Sequence, residues 1–115
     1  MARYTGYFAV GIGIETLREV LLELLRDCNL EITYQTRSSI ISRENMGQVS
    51  VPQLVTVEVI FDTATATEIE TRITLVVKNE ELPLQFNNHC RQMFEVLSQS
   101  IINNRHWDLL ESIAL

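Results

Sequence analysis

The sequence predicts an α+β domain in which one antiparallel sheet carries helices on a single face. Two runs of alternating apolar and polar residues, Gln53 to Asp62 and Glu68 to Lys78, are joined by the short segment Thr63 to Thr67. Side chains on a strand alternate between faces with a period of two, so this pattern reads as a half-buried β-hairpin. Two further stretches place apolar residues at helical spacing: Leu17, Val20, Leu21, Leu24, Leu25 and Cys28, then Phe86, Cys90, Met93, Phe94, Leu97 and Ile101. The 115 residues match one domain of ordinary size, able to bury about two-thirds of its unfolded surface, so residues 1–115 are read as a single domain.

The predicted order is β-α-β-β-β-α-α, with strands at about 4–12, 31–42, 53–62 and 68–78 and helices at about 16–28, 88–103 and 106–113. In the first strand Phe8, Val10 and Ile12 share one face and Thr5, Tyr7 and Ala9 the other; Gly11 and Gly13 then open a turn. Thr16 with Glu19 three residues later predicts a capping box at the start of the first helix, and Asn29 a left-handed stop. The second strand has Ile32, Tyr34, Thr36 and Ser38 inward. That face is so polar that either the strand leaves the core near Ser38 and Ser39 or these hydroxyls line a wet recess. Residues 44–52, with Asn45, Gly47 and Pro52, form a loop.

Matching the apolar faces of the hairpin requires opposed residue numbers to sum to an even value, because a slip of one residue sends a whole apolar set into water. A sum of 130 opposes Glu58 to Arg72, whereas 128 opposes it to Glu70. Since cross-strand pairs contribute about 0.2–1 kcal/mol, the first register is predicted. After the hairpin, Asn87 or Asn88 caps the next helix. The apolar stripe changes phase beyond Asn103 and Asn104, so a break and a short last helix containing Trp107, Leu110 and Ile113 are expected.

Nine Lys and Arg against 15 Asp and Glu give a net charge of −6. Nucleic-acid binding draws its affinity from clustered cations on phosphate, so this composition argues against it. No run reaches the ~18–20 apolar residues that cross a bilayer, and the N-terminus is a poor signal peptide; no membrane partner and a cytoplasmic location are expected. Cys28 and Cys90 are read as reduced thiols.

No catalytic constellation stands out. His89 lies beside Cys90, yet adjacent helical residues point about 100° apart, and no zinc-type ligand spacing occurs. Gly11 and Gly13 lack the third glycine of a dinucleotide fingerprint, and no serine sits in a nucleophile elbow. Neither catalytic residues, cofactor nor metal are predicted, and enzymatic activity is disfavoured. An enzyme would need His89 or His106 within hydrogen-bond reach of a carboxylate in a cleft.

The leading expectation is a non-enzymatic interaction or assembly module. It self-associates, or binds an unidentified protein, through the outer sheet face or an edge strand. Leu54 and Val76, opposed in the predicted register, with Ile60 and Ile41, form the candidate interaction face. The alternative is a small-molecule-binding domain with a pocket between sheet and helices lined by Tyr34, Ser38, Met93 and Trp107.

The run Val76-Val77-Lys78-Asn79-Glu80-Glu81-Leu82-Pro83-Leu84, followed by Asn88-His89-Cys90-Arg91-Gln92-Met93-Phe94, resembles small uncharacterised proteins of cyanobacteria. The resemblance covers the C-terminal half, carries no functional motif, and implies a cytoplasmic housekeeping or regulatory protein. As a fold, a curved antiparallel sheet gripping a helix is similar to helix-grip and cystatin-like domains, which host many functions.

Overall fold

A computed structural model of the chain describes residues 1–82 and 88–115. The elements follow in the order β1 (Ala2–Val10), α1 (Ile14–Asp27), β2 (Leu30–Gln35), β3 (Ser39–Glu44), β4 (Thr56–Phe61), β5 (Thr71–Asn79), α2 (His89–Ile102) and β6 (Leu109–Ala114). The strands form one antiparallel sheet of order β2-β3-β4-β5-β1-β6, so the α+β class stands. The first strand joins the meander beside β5, with Phe8 opposite Ile73 and Tyr4 opposite Val77.

Helix α1 begins at Ile14, and the Thr16/Glu19 capping box does not form. Gly13 is the N-cap; its carbonyl accepts from Leu17 N–H at 3.0 Å, so Thr16 is already inside the first turn. Only a residue without Cβ fits easily at that cap, because a Cβ on Gly13 would lie 3.1 Å from the Glu68 carbonyl oxygen. Leu17, Leu21 and Leu25 are buried, each burial contributing about 1.5–3 kcal/mol. On another face Arg18 donates to the carbonyls of Thr36 (2.9 Å) and Arg37 (2.5 Å), with its guanidinium 4.7 Å from the Phe61 ring centroid. Asn29, at φ 65°, supplies the expected left-handed stop.

The single strand expected over 31–42 is instead a hairpin. The chain turns at Thr36 to Ser39, where Thr36 N–H donates to the Ser39 carbonyl and the two hydroxyls meet at 2.8 Å. Thr36 to Ser39 are thus the turn itself and not part of a core face. A bulge between Ile32 and Tyr34 changes the facing: Ile32, opposite Ser42, points inward, while Tyr34, opposite Ile41, points outward.

In the β4–β5 hairpin the even sum holds but the register is 134, not 130. Val57 lies opposite Val77, Phe61 opposite Ile73, and Glu58 opposite Val76 rather than Arg72. β5 also pairs with β1 on its other side, and Thr71 Oγ donates to the Ile12 carbonyl at 2.9 Å. Those apolar and backbone contacts outweigh one exposed ion pair, and Ile69 is left on the surface.

The short last helix is also corrected. After α2 the Trp107 indole N–H donates to the Ile101 carbonyl at 2.9 Å, and the chain then runs extended as β6 beside β1, with Tyr7 opposite Ile113. The open edge of β1 offers backbone hydrogen bonds that a two-turn helix could not replace. Asn88 caps α2, its Oδ1 accepting from Arg91 N–H at 3.0 Å; the alternative cap Asn87 and the stripe residue Phe86 lie outside the described residues.

Buried side chains of both helices and of one sheet face form one cluster, including Leu21, Ile40, Val57, Leu75, Phe94 and Leu97. α1 borders β2, and α2 lies over β1, β5 and β6. No described helix covers the opposite face.

Candidate functional site

The bare outer face resolves into rows of side chains across the strands, because the pairings align residues laterally. The first row runs Arg43, Thr56, Lys78, Arg3, with Glu31 beside Arg43 at the β2 edge. The second runs Tyr34, Ile41, Glu58, Val76, Thr5, and the third Ser39, Ile60, Thr74, Tyr7, Ile113. The fourth holds Asp62, whose N–H donates to the Arg72 carbonyl, then Arg72, Ala9 and Glu111. Arg72 reaches over Ala9 to Glu111 at 3.5 Å and back to Glu70 at 3.8 Å. The face is therefore banded, cationic at one end, apolar and hydroxylic in the middle, and mainly anionic at the other.

Of the predicted interaction residues, Ile60 (38% exposed) and the half-buried Ile41 lie on this face. Val76 is on it too, but its neighbours leave it only 4% exposed. Leu54 precedes β4 at the end of a 3-10 turn, is 8% exposed, and is not opposite Val76, so the predicted Leu54–Val76 pair is replaced. Tyr7 (41% exposed), Tyr34 and Ile113 belong to the face and are not among the predicted interaction residues; Tyr34 is one of the residues predicted for the alternative pocket. The alternation of the first strand already turned Tyr7 outward; Tyr34 needed the bulge and Ile113 the sixth strand.

Two edges of the sheet are open among the described residues, at β2 and β6. Leu115 N–H donates to the Thr5 carbonyl, so the backbone groups of Glu111 and Ile113 also turn toward β1 and those of Ser112 and Ala114 point away. A shallow recess of about 370 Å³ lies over the β6 end of the face, bounded by Tyr7, Arg72, Thr74, Glu111 and Ile113.

The predicted pocket residues do not come together. Tyr34 and Ser38 lie at the β2 end of the sheet, Trp107 is buried just before β6 at the other, and Met93 is half-buried on α2. The space between the helices is instead an open groove of about 780 Å³ bordered by Val20 and Leu24 of α1 with its C-cap Cys28, and by Ser100 of α2 with Arg105 and His106 just beyond it.

A buried polar cluster anchors the start of α2. His89 Nε2 lies 2.8 and 3.0 Å from the two oxygens of Glu44, whose Oε1 also accepts from Val55 N–H. Glu81 Oε1 accepts from Asn79 Nδ2 (2.5 Å) and Cys90 N–H (2.9 Å), and its Oε2 from His89 N–H (3.2 Å). Burial alone would raise the Glu81 carboxyl, but the bonds from Asn79, Cys90 and His89 outweigh it and hold it below the ordinary carboxylate range. The histidine–carboxylate contact an enzyme would need is thus present. The adjacent thiol does not complete it: Cys90 Sγ–H points to the Val77 carbonyl at 3.3 Å, and burial, then Glu81, push the thiol up to about 12. Both carboxylates are occupied by partners within the chain: Glu81 takes the first two N–H groups of α2, as a helix cap does, and Glu44 is held by the His89 ring and Val55 N–H.

Among the described residues no group of three or more His, Cys, Asp or Glu side chains could hold a metal ion, and no helix is long and apolar enough to cross a membrane. No protein-family model, curated protein or solved structure matches the chain.

Proposed function

We propose that the protein is a non-enzymatic association module that self-assembles through the outer face of its sheet or through an open edge strand. The observation that carries this reading is the one-sided placement of the helices. Among the described residues no helix covers the outer face of the six-stranded sheet, and Tyr7, Tyr34, Ile60 and Ile113 are exposed on it among charges of both signs. Scattered apolar surface residues are ordinary, but here they occupy adjacent rows of one face. The β6 edge, with outward backbone groups at Ser112 and Ala114, offers a second route by strand addition.

Light scattering at tens of micromolar is expected to give a mass at least twice the 13.2 kDa of the chain. Ile60→Glu is expected to reduce that mass if the face is used, and Ser112→Pro, which removes an outward N–H, if the edge is used. A monomeric wild type at every concentration refutes the reading.

A second reading, a small-molecule site, rests on the volume of the interhelical groove, within the ~300–1,000 Å³ of ligand sites. Binding of an apolar fluorescent dye that Leu24→Trp abolishes would favour it; no dye binding, or binding indifferent to that substitution, rejects it.

A further inference from the structure

Resting on the association reading, the geometry points to a specific occupant of the outer face: we infer that it docks a second copy of this chain, sheet against sheet. The two-fold axis lies in the plane of the interface, perpendicular to the strands, between the Glu58 row and the Ile60 row.

The argument is charge complementarity within one face. At one end Arg43, Lys78 and Arg3 are aligned in a row, with Glu31 beside them, leaving two net positive charges. At the other end Asp62, Glu70 and Glu111 surround Arg72, leaving two net negative charges. A two-fold axis parallel to the strands would lay like band on like band. An axis perpendicular to them reverses strand direction and lays each strand on its own copy, so each cationic band meets the partner's anionic band, twice, by symmetry; Lys78 then faces the partner's Arg72, and the opposite charge comes from Asp62 and Glu111 on the strands to either side. The same operation lays the central rows on each other, bringing Val76, Ile41 and Thr5 over Thr74, Ser39 and Tyr7 of the partner subunit. Glu58 is the one charge in the centre, with Arg43 and Lys78 diagonal to it across the neighbouring strands. Its desolvation opposes docking.

The area is of the right order. Only β4, β5 and β1 carry all four rows, so strands about 4.8 Å apart and rows spanning about 20 Å give a projected face of roughly 400 Å². The relief of the side chains raises the accessible area toward the ~800 Å² per partner of an ordinary stable interface. The chain's net charge of −6 opposes self-association at long range, but it is screened beyond about 8 Å at physiological salt, whereas the facing bands are in contact.

The test is a charge exchange read by sedimentation velocity. Arg3→Glu/Lys78→Glu makes both bands anionic, and Glu70→Lys/Glu111→Lys makes both cationic. The wild type is expected to be a dimer and each variant alone a monomer at the same concentration, with dissociation constants raised at least about tenfold, or 1.4 kcal/mol. An equimolar mixture of the two variants is expected to restore the dimer, because both heterologous band contacts are again of opposite sign. Glu58→Gln is expected to tighten the wild-type dimer. Thermal unfolding checks that each variant is folded, and Arg43→Glu/Lys78→Glu replaces the first if it is not. A dimeric wild type whose variants stay dimeric overturns face docking and leaves association through an edge. Monomeric variants that the mixture fails to rescue overturn the two-fold arrangement. A monomeric wild type overturns this inference and the association reading together.

Discussion

Replacing Glu81 by Gln tests whether the buried carboxylate cluster is a cap for α2. The side chain is nearly isosteric, so the change isolates charge and hydrogen bonding. In the native protein Glu81 accepts from Asn79 Nδ2, Cys90 N–H and His89 N–H, the last two at the start of a 14-residue helix. Glutamine keeps one acceptor oxygen and turns an NH₂ group toward one of those donors. The loss is one charge-assisted hydrogen bond of about 1.5–3 kcal/mol plus a helix-terminus charge term of about 0.3–2 kcal/mol. Together they amount to roughly 3 kcal/mol, a large part of the ~5–15 kcal/mol that holds a domain folded. Urea unfolding at pH 7 and 25 °C should show this as a lower midpoint with an unchanged slope. The pH dependence adds a second check. The folded carboxyl titrates below its unfolded value of about 4.3, so its contribution is complete above that value and is lost as pH falls through the folded one. The gap between wild type and variant should therefore close on acidification. A loss under about 1 kcal/mol at pH 7, or a gap that persists in strong acid, refutes the capping role.

Three further outcomes are expected. Cys90, with its thiol fully buried and pushed up to about 12, should resist a thiol-specific disulfide reagent at pH 8 until the protein unfolds, while the half-buried Cys28, raised by burial and by Asp27, reacts slowly in the native state; equal rates for both would contradict the described packing. Leu21→Ala should cost about 2–5 kcal/mol in urea unfolding and Leu22→Ala about 1, since only the former is fully buried against the sheet; comparable losses would mean that the facing of α1 is wrong. Trp107→Phe should cost about 1–3 kcal/mol, because the Ile101 carbonyl loses its indole donor at the end of α2; a change within error would show that this bond contributes nothing.

The parts of the fold that were legible are those in which periodicity and burial agree. The helical spacing of Leu17, Leu21 and Leu25 and the alternation of Val55, Val57, Val59 and Phe61 each place fully or nearly fully buried residues on the sheet's inner side. The misread parts are those where a short segment has weak local preference and a distant partner decides. Residues 109–114 have apolar residues that suit either state, and β1 makes them a strand by offering an unpaired edge. The hydroxyl-rich stretch from Thr36 to Ser39 looked like an odd continuation of a strand. Its side chains bond to their own backbone, with Ser38 N–H donating to Thr36 Oγ, which is what turns the chain.

The candidate face was half legible, and the missing half has one cause. Parity alone decides which residues point outward, so Ile60, Ile41, Val76 and the outward pattern of the first strand could be read without knowing any neighbour. Which charges share a row depends on the absolute register, and that is set by β1 on the far side of β5. At a register sum of 130, Arg72 would sit opposite Glu58 and neutralise the middle of the face. At 134 it lies two rows away, opposite Asp62 and beside Glu111, while Lys78 comes level with Thr56 and joins Arg43 and Arg3. A shift of four in the register sum preserves every inward and outward assignment and still converts a mixed surface into one with separated charges. The banding is thus a property of three strands together, and the hairpin alone could not contain it.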